Sequence, residues 1–326
     1  MQFRDYVWYW YTTYRQHRQQ KTTQAVFISM IQGHIMTSSL GQMELESVRT
    51  ADVQAFLLHE RMKGCRVHFK TYDKRDTPLS AFTVTRLRQL LIAVFRQAMK
   101  EGIVQQNAAE GTEPVPLPWR DAPVFTAENQ RKFLMATRNH RFHLAYLLLF
   151  FTGCRRGEIL GLTWDAIDFR RNTMRITKSL LIEDGKIVLK ERTKTRASMR
   201  VIPFPKEIRI LLQEHKQKQK EESRAAGWKN LDNLVFTNKD GSPHSPIYFS
   251  RNFKNAIRRI EGLPDGLHVH SCRHTWATNM IQCGNAITDV QYLGGWSRPD
   301  TLLNIYAHTV KDSQRKAMKK LFQTLQ

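Results

Sequence analysis

Carboxylates are the first scarcity in this chain of 326 residues: 29 Asp and Glu stand against 51 Lys and Arg, a formal charge of +22. An excess of that size raises encounter with polyanions and neutralises phosphates, without carrying information about base order. The same scarcity removes the carboxylate clusters that metal-dependent nucleases use to hold their ions. Cysteine is rarer still, and Cys65, Cys154, Cys272 and Cys283 fall at no metal-ligand spacing. A disulfide framework and a zinc module are therefore not expected; reduced thiols in a cytoplasmic protein are. No mid-chain apolar run reaches the ~20 residues of a membrane span; Leu144 to Phe151 reads as a buried helix. The opening MQFRDYVWYWYTTYRQ has no basic-then-aliphatic layout, so it reads as an amphipathic helix and not as a secretory signal. No membrane partner is expected. The isolated Gly-x-Gly-like fragments are too weak to indicate a nucleotide site, and no cofactor or metal is expected.

Proline is sparse except between Asn107 and Pro123, where AAEGTEPVPLPWRDAP holds four. Such a stretch ends helical periodicity and reads as an interdomain linker. The length suits about two domains of roughly 150 residues each. Both halves are basic, with 15 basic against 10 acidic residues before Pro118 and 36 against 19 from it onward. The expected organisation is a helical domain over residues 1–108, a linker over 109–123 and a second domain over 124–326 that ends in a helix.

In the first domain, residues 4–20 and 22–36 read as helices, the second with Thr22 and Thr23 as candidate caps. A third helix opens at Thr50 with Asp52 in its first turn, and GCRVHFKTYDKRDTP reads as a loop. From Ser80, Val84, Leu87, Leu90, Leu91, Val94, Phe95 and Met99 recur at helical spacing up to Gly102. The second domain opens with Thr126 capping a helix through Ala136, followed by a buried helix over residues 140–151. Residues 172–205 then read as three short strands of one antiparallel sheet, with a turn at Glu183, Asp184, Gly185 and Lys186. Helices follow over 206–224 and 247–260, and KQKQKEESR in the first of them reads as a solvated face. Residues 270–308 read as mostly helical, and Met318, Leu321, Phe322 and Leu325 recur at helical spacing as a terminal apolar stripe suited to docking on its own domain or a neighbour.

Chemistry concentrates between His270 and His308. Arg273 offers a planar fork matching two phosphate oxygens, His270 can move a proton near neutral pH, and Tyr306 carries a hydroxyl able to attack phosphorus. Read with TGCRRGE at 152–158, Lys194, LGGWS at 293–297 and NIYAH at 304–308, HSCRHT at 270–275 resembles the tyrosine recombinase (phage integrase) family. VRTADVQAF and LSAFTVTRLRQLLIAVFRQAMKEGIVQQNAAE are similar to that family's helical core-binding domain, so the likeness covers nearly the whole chain. It implies a mainly α protein with a small antiparallel sheet: a core-binding domain and an α+β catalytic domain forming a C-shaped clamp on duplex DNA.

By that resemblance Arg155 and Arg273 hold the non-bridging oxygens of the scissile phosphate, Glu158 buttresses Arg155, and Lys194 protonates the departing 5′ oxygen. His270 assists proton movement on Tyr306, the nucleophile, whose attack gives a 3′-phosphotyrosine. Trp296 stands where histidine is commoner in the family; its indole N–H can donate to phosphate but cannot shuttle a proton. His274 and His308 are expected to be structural, and Arg156 an ordinary surface or backbone-contact residue. Cys154 and Cys272 read as small buried hydrophobes, and Lys190, Arg192, Arg196 and Arg200 as further cations able to bind phosphate. The implied activity is site-specific recombination by a homotetramer on two DNA sites through a Holliday junction, with an excisionase or a host DNA-bending protein as further partners. An origin in a phage or integrative and conjugative element follows, with an arm-binding domain either removed or never part of the protein. A silent DNA-binding relative and a topoisomerase-like relaxing enzyme are the alternatives.

Overall fold

The computed structural model describes residues 1–63, 78–117, 123–191, 199–299, 302 and 322–323. The chain divides into two compact units, Met1–Arg120 and Asp121–Gln326.

Unit one is helical. Helix α1 (Phe3–Trp10) runs into a wider π turn at Tyr11–Arg15, and α2 (Lys21–Met30) into another at Ile31–Ile35. A short α3 (Ser39–Gln42) precedes α4 (Thr50–Lys63) and α5 (Ala81–Lys100). Thr22 and Thr23 lie inside α2, whose cap position is Gln20 without a side-chain bond, so the expected threonine caps are not made. At α4 the Asp52 carboxylate accepts the Arg49 N–H, a first-turn acid reaching back to an orphan donor. Ser80 caps α5 by accepting from the Thr83 N–H. The apolar stripe of α5 is buried from Val84 to Ala98, and Phe95 stacks on Phe3 with ring centroids 5.1 Å apart. Residues just past Asn107 are tied to this unit: the Arg88 fork donates to the Glu110 and Thr112 carbonyls, and Ala108 and Ala109 are buried in its core.

Unit two is built from α6 (Ala127–Ala136), α7 (His143–Thr152) and α8 (Arg156–Leu160), then β1 (Ile167–Asp168), β2 (Thr173–Ile176), β3 (Lys178–Glu183), β4 (Lys186–Glu191) and β5 (Arg200–Pro203). After these come α9 (Lys206–Ala226), α10 (Pro246–Arg258), α11 (Val269–Gln282) and α12 (Ile287–Gly294). Thr126 caps α6, as its position before the first apolar residue predicts. The described strands number five, in two antiparallel sheets, where three in one sheet are expected: β1-β2-β5 and the hairpin β3-β4. The hairpin turns at Asp184 and Gly185, both at positive φ (50° and 76°), the pair of left-handed residues that a type I′ turn requires. β1 escapes a reading by alternation because it has two residues. Helix α8 lies close on β3: a Cβ at Gly157 would sit 2.6 Å from the Leu180 carbonyl oxygen, and one at Gly161 2.9 Å from the Leu180 nitrogen. That contact sets where Arg155 begins.

The core of unit two is a cluster of rings. Phe133, fully buried, meets Phe125, Tyr146, Phe150 and Phe253 at centroid distances of 4.8–6.0 Å. Within the charged stretch of α9 one residue turns inward: Gln219 accepts from the Trp164 indole at 2.7 Å and donates to the Leu234 and Val235 carbonyls. No helix among the described residues is long and apolar enough to cross a membrane.

Two stability measurements check this packing. Phe133→Ala is expected to cost about 3–5 kcal/mol in urea unfolding, since it removes a whole ring and leaves a cavity. His244 is 2% exposed, and its burial, aided by the charge of Arg141, lowers its pKa to about 4. Between that value and the ordinary 6.5 the unfolded chain binds a proton that the folded one does not, so stability falls as pH drops through this window. The urea midpoint should be lower at pH ~5 than at pH ~7, and His244→Gln should narrow the difference.

Candidate active site

The last carbonyls of any helix have no partner within it, and the end of α12 turns this into a socket. Gly295 takes the left-handed conformation (φ 69°, ψ 47°) that ends the helix. Gly294 is required by packing, since a Cβ there would lie 1.8 Å from the Trp296 ring. With the chain reversed in this way, three successive carbonyls each receive a guanidinium. Arg200 Nε donates to Leu293 O at 2.5 Å, Arg273 Nη1 to Gly294 O at 2.6 Å and Arg155 Nη2 to Gly295 O at 3.1 Å. The negative end of the helix dipole favours this gathering of cations.

Arg273 projects from α11 into the interior and is 1% exposed. Its Nη1 also donates to Gly153 O at 2.7 Å, the carbonyl that follows α7, so two helix ends share one amino group. The guanidinium carbon lies 3.6 Å from the Trp296 ring centroid, a close cation–π contact. Burial, and after it the charge of Arg155, lower the Arg273 pKa to about 9, still high enough for the group to remain charged at neutral pH. Its Nη2 has no partner among the described residues although it is buried. A buried charged donor left unmatched by protein is costly, and a phosphate oxygen is the natural acceptor for it.

Arg155 stands at the start of α8, with a third of its side chain exposed. Glu158, wholly buried, holds it twice: the carboxylate accepts the Arg155 backbone N–H at 2.8 Å and Nη1 at 2.9 Å. Oε2, the oxygen that takes the Arg155 backbone N–H, also accepts from Arg200 Nη2 at 2.8 Å. Glu158 thus faces two guanidiniums from inside the protein, while Arg155 keeps an exposed edge. Arg156 points away and donates to the Ser250 hydroxyl at 2.6 Å.

His270 and Arg273 are one turn apart on α11. The His270 ring keeps an exposed face, but the surrounding protein, then His274, Arg273 and other positive neighbours, lower its pKa to about 4. At neutral pH it is therefore an uncharged imidazole able to accept a proton. His274 packs edge-on against it at 4.8 Å and is itself lowered to about 4, chiefly by burial. His268 caps α11 through Nδ1, which accepts from the Ser271 N–H at 3.1 Å.

Arg155, Glu158, His270, Arg273, His274 and Trp296 are thus gathered around the ends of α7 and α12. Lys194, Tyr306 and His308, together with Arg192 and Arg196, lie outside the described residues. Lys190 is on β4, ion-paired with Glu183. Arg200 departs from its reading as a phosphate-binding cation, because its side chain is fully buried and committed to protein acceptors. Cys154 is buried and accepts from Arg200 Nη2, and Cys272 is buried as well. Trp276, absent from the sequence reading, stacks on Trp296 at 6.2 Å and 13° and fills the space over Gly153, where a Cβ would come within 2.2 Å of its ring. Its signal in the sequence is its position one turn beyond Arg273. Among the described residues no group of three or more His, Cys, Asp or Glu side chains is placed to hold a metal ion.

Comparison with known proteins gives the family and the fold. The model of the phage integrase family matches residues 124–313, more than half of the chain. The chain is 29% identical over 307 residues to a XerC-like tyrosine recombinase of Caldanaerobacter subterraneus subsp. tengcongensis, covering 88% of this chain and 74% of that protein. It is 26% identical over 274 residues to the ICEBs1 integrase of Bacillus subtilis, covering 83% and 72%. Among solved structures, the Tn1549 transposon integrase in complex with a circular intermediate DNA matches with a TM-score of 0.83 and 22% identity, over 98% of this chain and 99% of that one. A lambda integrase tetramer bound to a Holliday junction matches with a TM-score of 0.66 and 18% identity, over 92% and 78%. At these identities the two structures speak to the fold, mainly helical with small antiparallel sheets. The matched segment runs from before α6 to beyond α12 and contains the whole arginine-lined site, and the chain belongs to the phage integrase family of tyrosine-type site-specific DNA recombinases.

Proposed function

We propose that this protein cuts and rejoins DNA at specific sites through Tyr306, within the clamp formed by Arg155 and Arg273. The observation that carries the reading is the pinning of both arginines to adjacent carbonyls, Gly295 and Gly294, with Arg273 Nη2 left for a non-protein acceptor. Two guanidiniums fixed in advance stabilise the extra negative charge of a pentavalent phosphorus without reorganising during the reaction. The Tyr306 oxygen attacks phosphorus, a phosphotyrosine bond forms, and the bond to the 5′ oxygen breaks. The phenolic proton passes to the uncharged imidazole of His270, and the departing 5′ oxygen takes its proton from the ammonium of Lys194. The phosphotyrosine conserves the energy of the broken bond, so a 5′ hydroxyl from another strand rejoins it without nucleotide hydrolysis. Trp296, stacked on Trp276 and covering Arg273, holds the clamp and keeps water from it.

The unit Met1–Arg120 takes the core-binding role and Asp121–Gln326 the catalytic one. Four protomers exchange strands between two duplex sites through a Holliday junction, in the cytoplasm of a bacterium carrying a phage or conjugative element. An excisionase or a DNA-bending protein sets the direction. The relatives' names, an integrase of a conjugative element and a XerC-like recombinase, support the general reading.

Incubation with nicked duplexes carrying candidate element ends should give a covalent protein–DNA adduct on denaturing gels that survives a chelator. Tyr306→Phe is expected to retain DNA binding and form no adduct; an adduct of unchanged yield would remove Tyr306 as nucleophile. Relaxation of a plasmid without any such site would point to a topoisomerase instead. Arg273→Lys, which keeps charge but loses the fork, should slow adduct formation on the order of 10²–10³-fold in single-turnover assays.

A further inference from the structure

Arg200 is the third guanidinium at the end of α12, and it is shut away from any substrate. Its side chain is fully buried on β5, and among the described residues its hydrogen bonds run to Leu293, Glu158 and Cys154. Nε donates to Leu293 O, while Nη2 donates to Glu158 Oε2 at 2.8 Å and to Cys154 Sγ at 3.2 Å. The remaining amino nitrogen, Nη1, is buried with no partner among the described residues. A buried cation with an unmatched donor is poor value as a stabiliser, since an apolar side chain of the same volume would pack without that penalty.

What Arg200 does have is a particular pair of partners. Leu293 O adjoins the carbonyls that hold Arg273 and Arg155. Glu158 is the carboxylate that grips Arg155 through both its backbone and its side chain. One rigid plane therefore fixes the distance between the socket and the buttress. Arg155 is set from both sides, by Glu158 at one amino group and by Gly295 O at the other.

We infer that Arg200 is a positioning residue for strand cleavage, locking Glu158 to the end of α12 so that the Arg155 and Arg273 forks converge on one phosphate. The inference rests on the reading of those two arginines as the phosphate clamp. Lysine at this position would keep the charge but could not span both partners, because an ammonium on a flexible stem has no fixed fork.

The test uses the full-length protein and a nicked duplex on which the wild type forms its covalent adduct. If the wild type forms none on any candidate element end, the recombinase reading fails and this inference falls with it. Where the adduct forms, Arg200→Lys is expected to slow its single-turnover formation on the order of 10²-fold, the scale of a misplacement near 1 Å. Half-saturation by the same DNA should move by less than about threefold, because phosphate contacts across the surface remain. The deciding comparison is with Arg155→Lys: if Arg200 works through Arg155, adding Arg200→Lys to that background should slow cleavage by less than about threefold more. A residue that merely supports the fold would give the same fractional loss in both backgrounds, together with a lower thermal midpoint and weaker DNA binding. Equal losses, wild-type cleavage by Arg200→Lys, or failure of that variant to fold would each overturn the inference.

Discussion

Orphan carbonyls at a helix end are ordinarily a small problem solved by a glycine turn or by water. Here α12 solves it with guanidiniums, and the rest of unit two is arranged to deliver them. Arg155 comes from the start of α8, Arg200 from β5 and Arg273 from α11, three elements otherwise unrelated in the chain. Mutual repulsion would drive such a group apart. It is offset by the helix dipole, the buried Glu158 and the face of Trp296, each placed against a different side of the positive charge.

The structure also separates diffuse charge from fixed charge. The formal charge of +22 belongs to the whole chain and acts on any nucleic acid, independently of sequence. The buried guanidiniums are part of that charge, offset locally by Glu158. Their value lies in being held still, which requires that they be withdrawn from solvent and matched by fixed dipoles. Arg155 is intermediate, with an exposed edge that can meet both the field outside and the socket within.

Much of this was legible in the sequence where one residue's chemistry or one period sufficed. The stripe of α5 has no competing interpretation, and its ends at Ser80 and Gly102 follow from cap and turn chemistry. The hairpin turn at Asp184 and Gly185 follows from residues that accept positive φ. Arg155 and Arg273 could be named from motifs, but the motifs do not disclose that both rest on the same helix end. Other features stayed hidden because they depend on partners distant in the chain. Gln219 lies in a run of lysines and glutamates, and its inward turn is decided by Trp164, 55 positions earlier. Arg200 stands among cations of similar appearance, and its burial is decided by Glu158 and Leu293. The two-residue β1 and the division of the strands between two sheets are likewise products of tertiary pairing.

Arg273 Nη1 bridges carbonyls that follow α7 and end α12, from Gly153 and Gly294, the first of them 120 positions away from it. Any local opening that parts these helices dismantles the charge clamp, while leaving the exposed lysines and arginines of the surface as basic as before. A heat-damaged or incompletely folded molecule thereby keeps its attraction for polyanions and loses the fixed pair of guanidiniums, which exists only where the interior is intact. That coupling is a form of latency written into the hydrogen bonds of a single side chain.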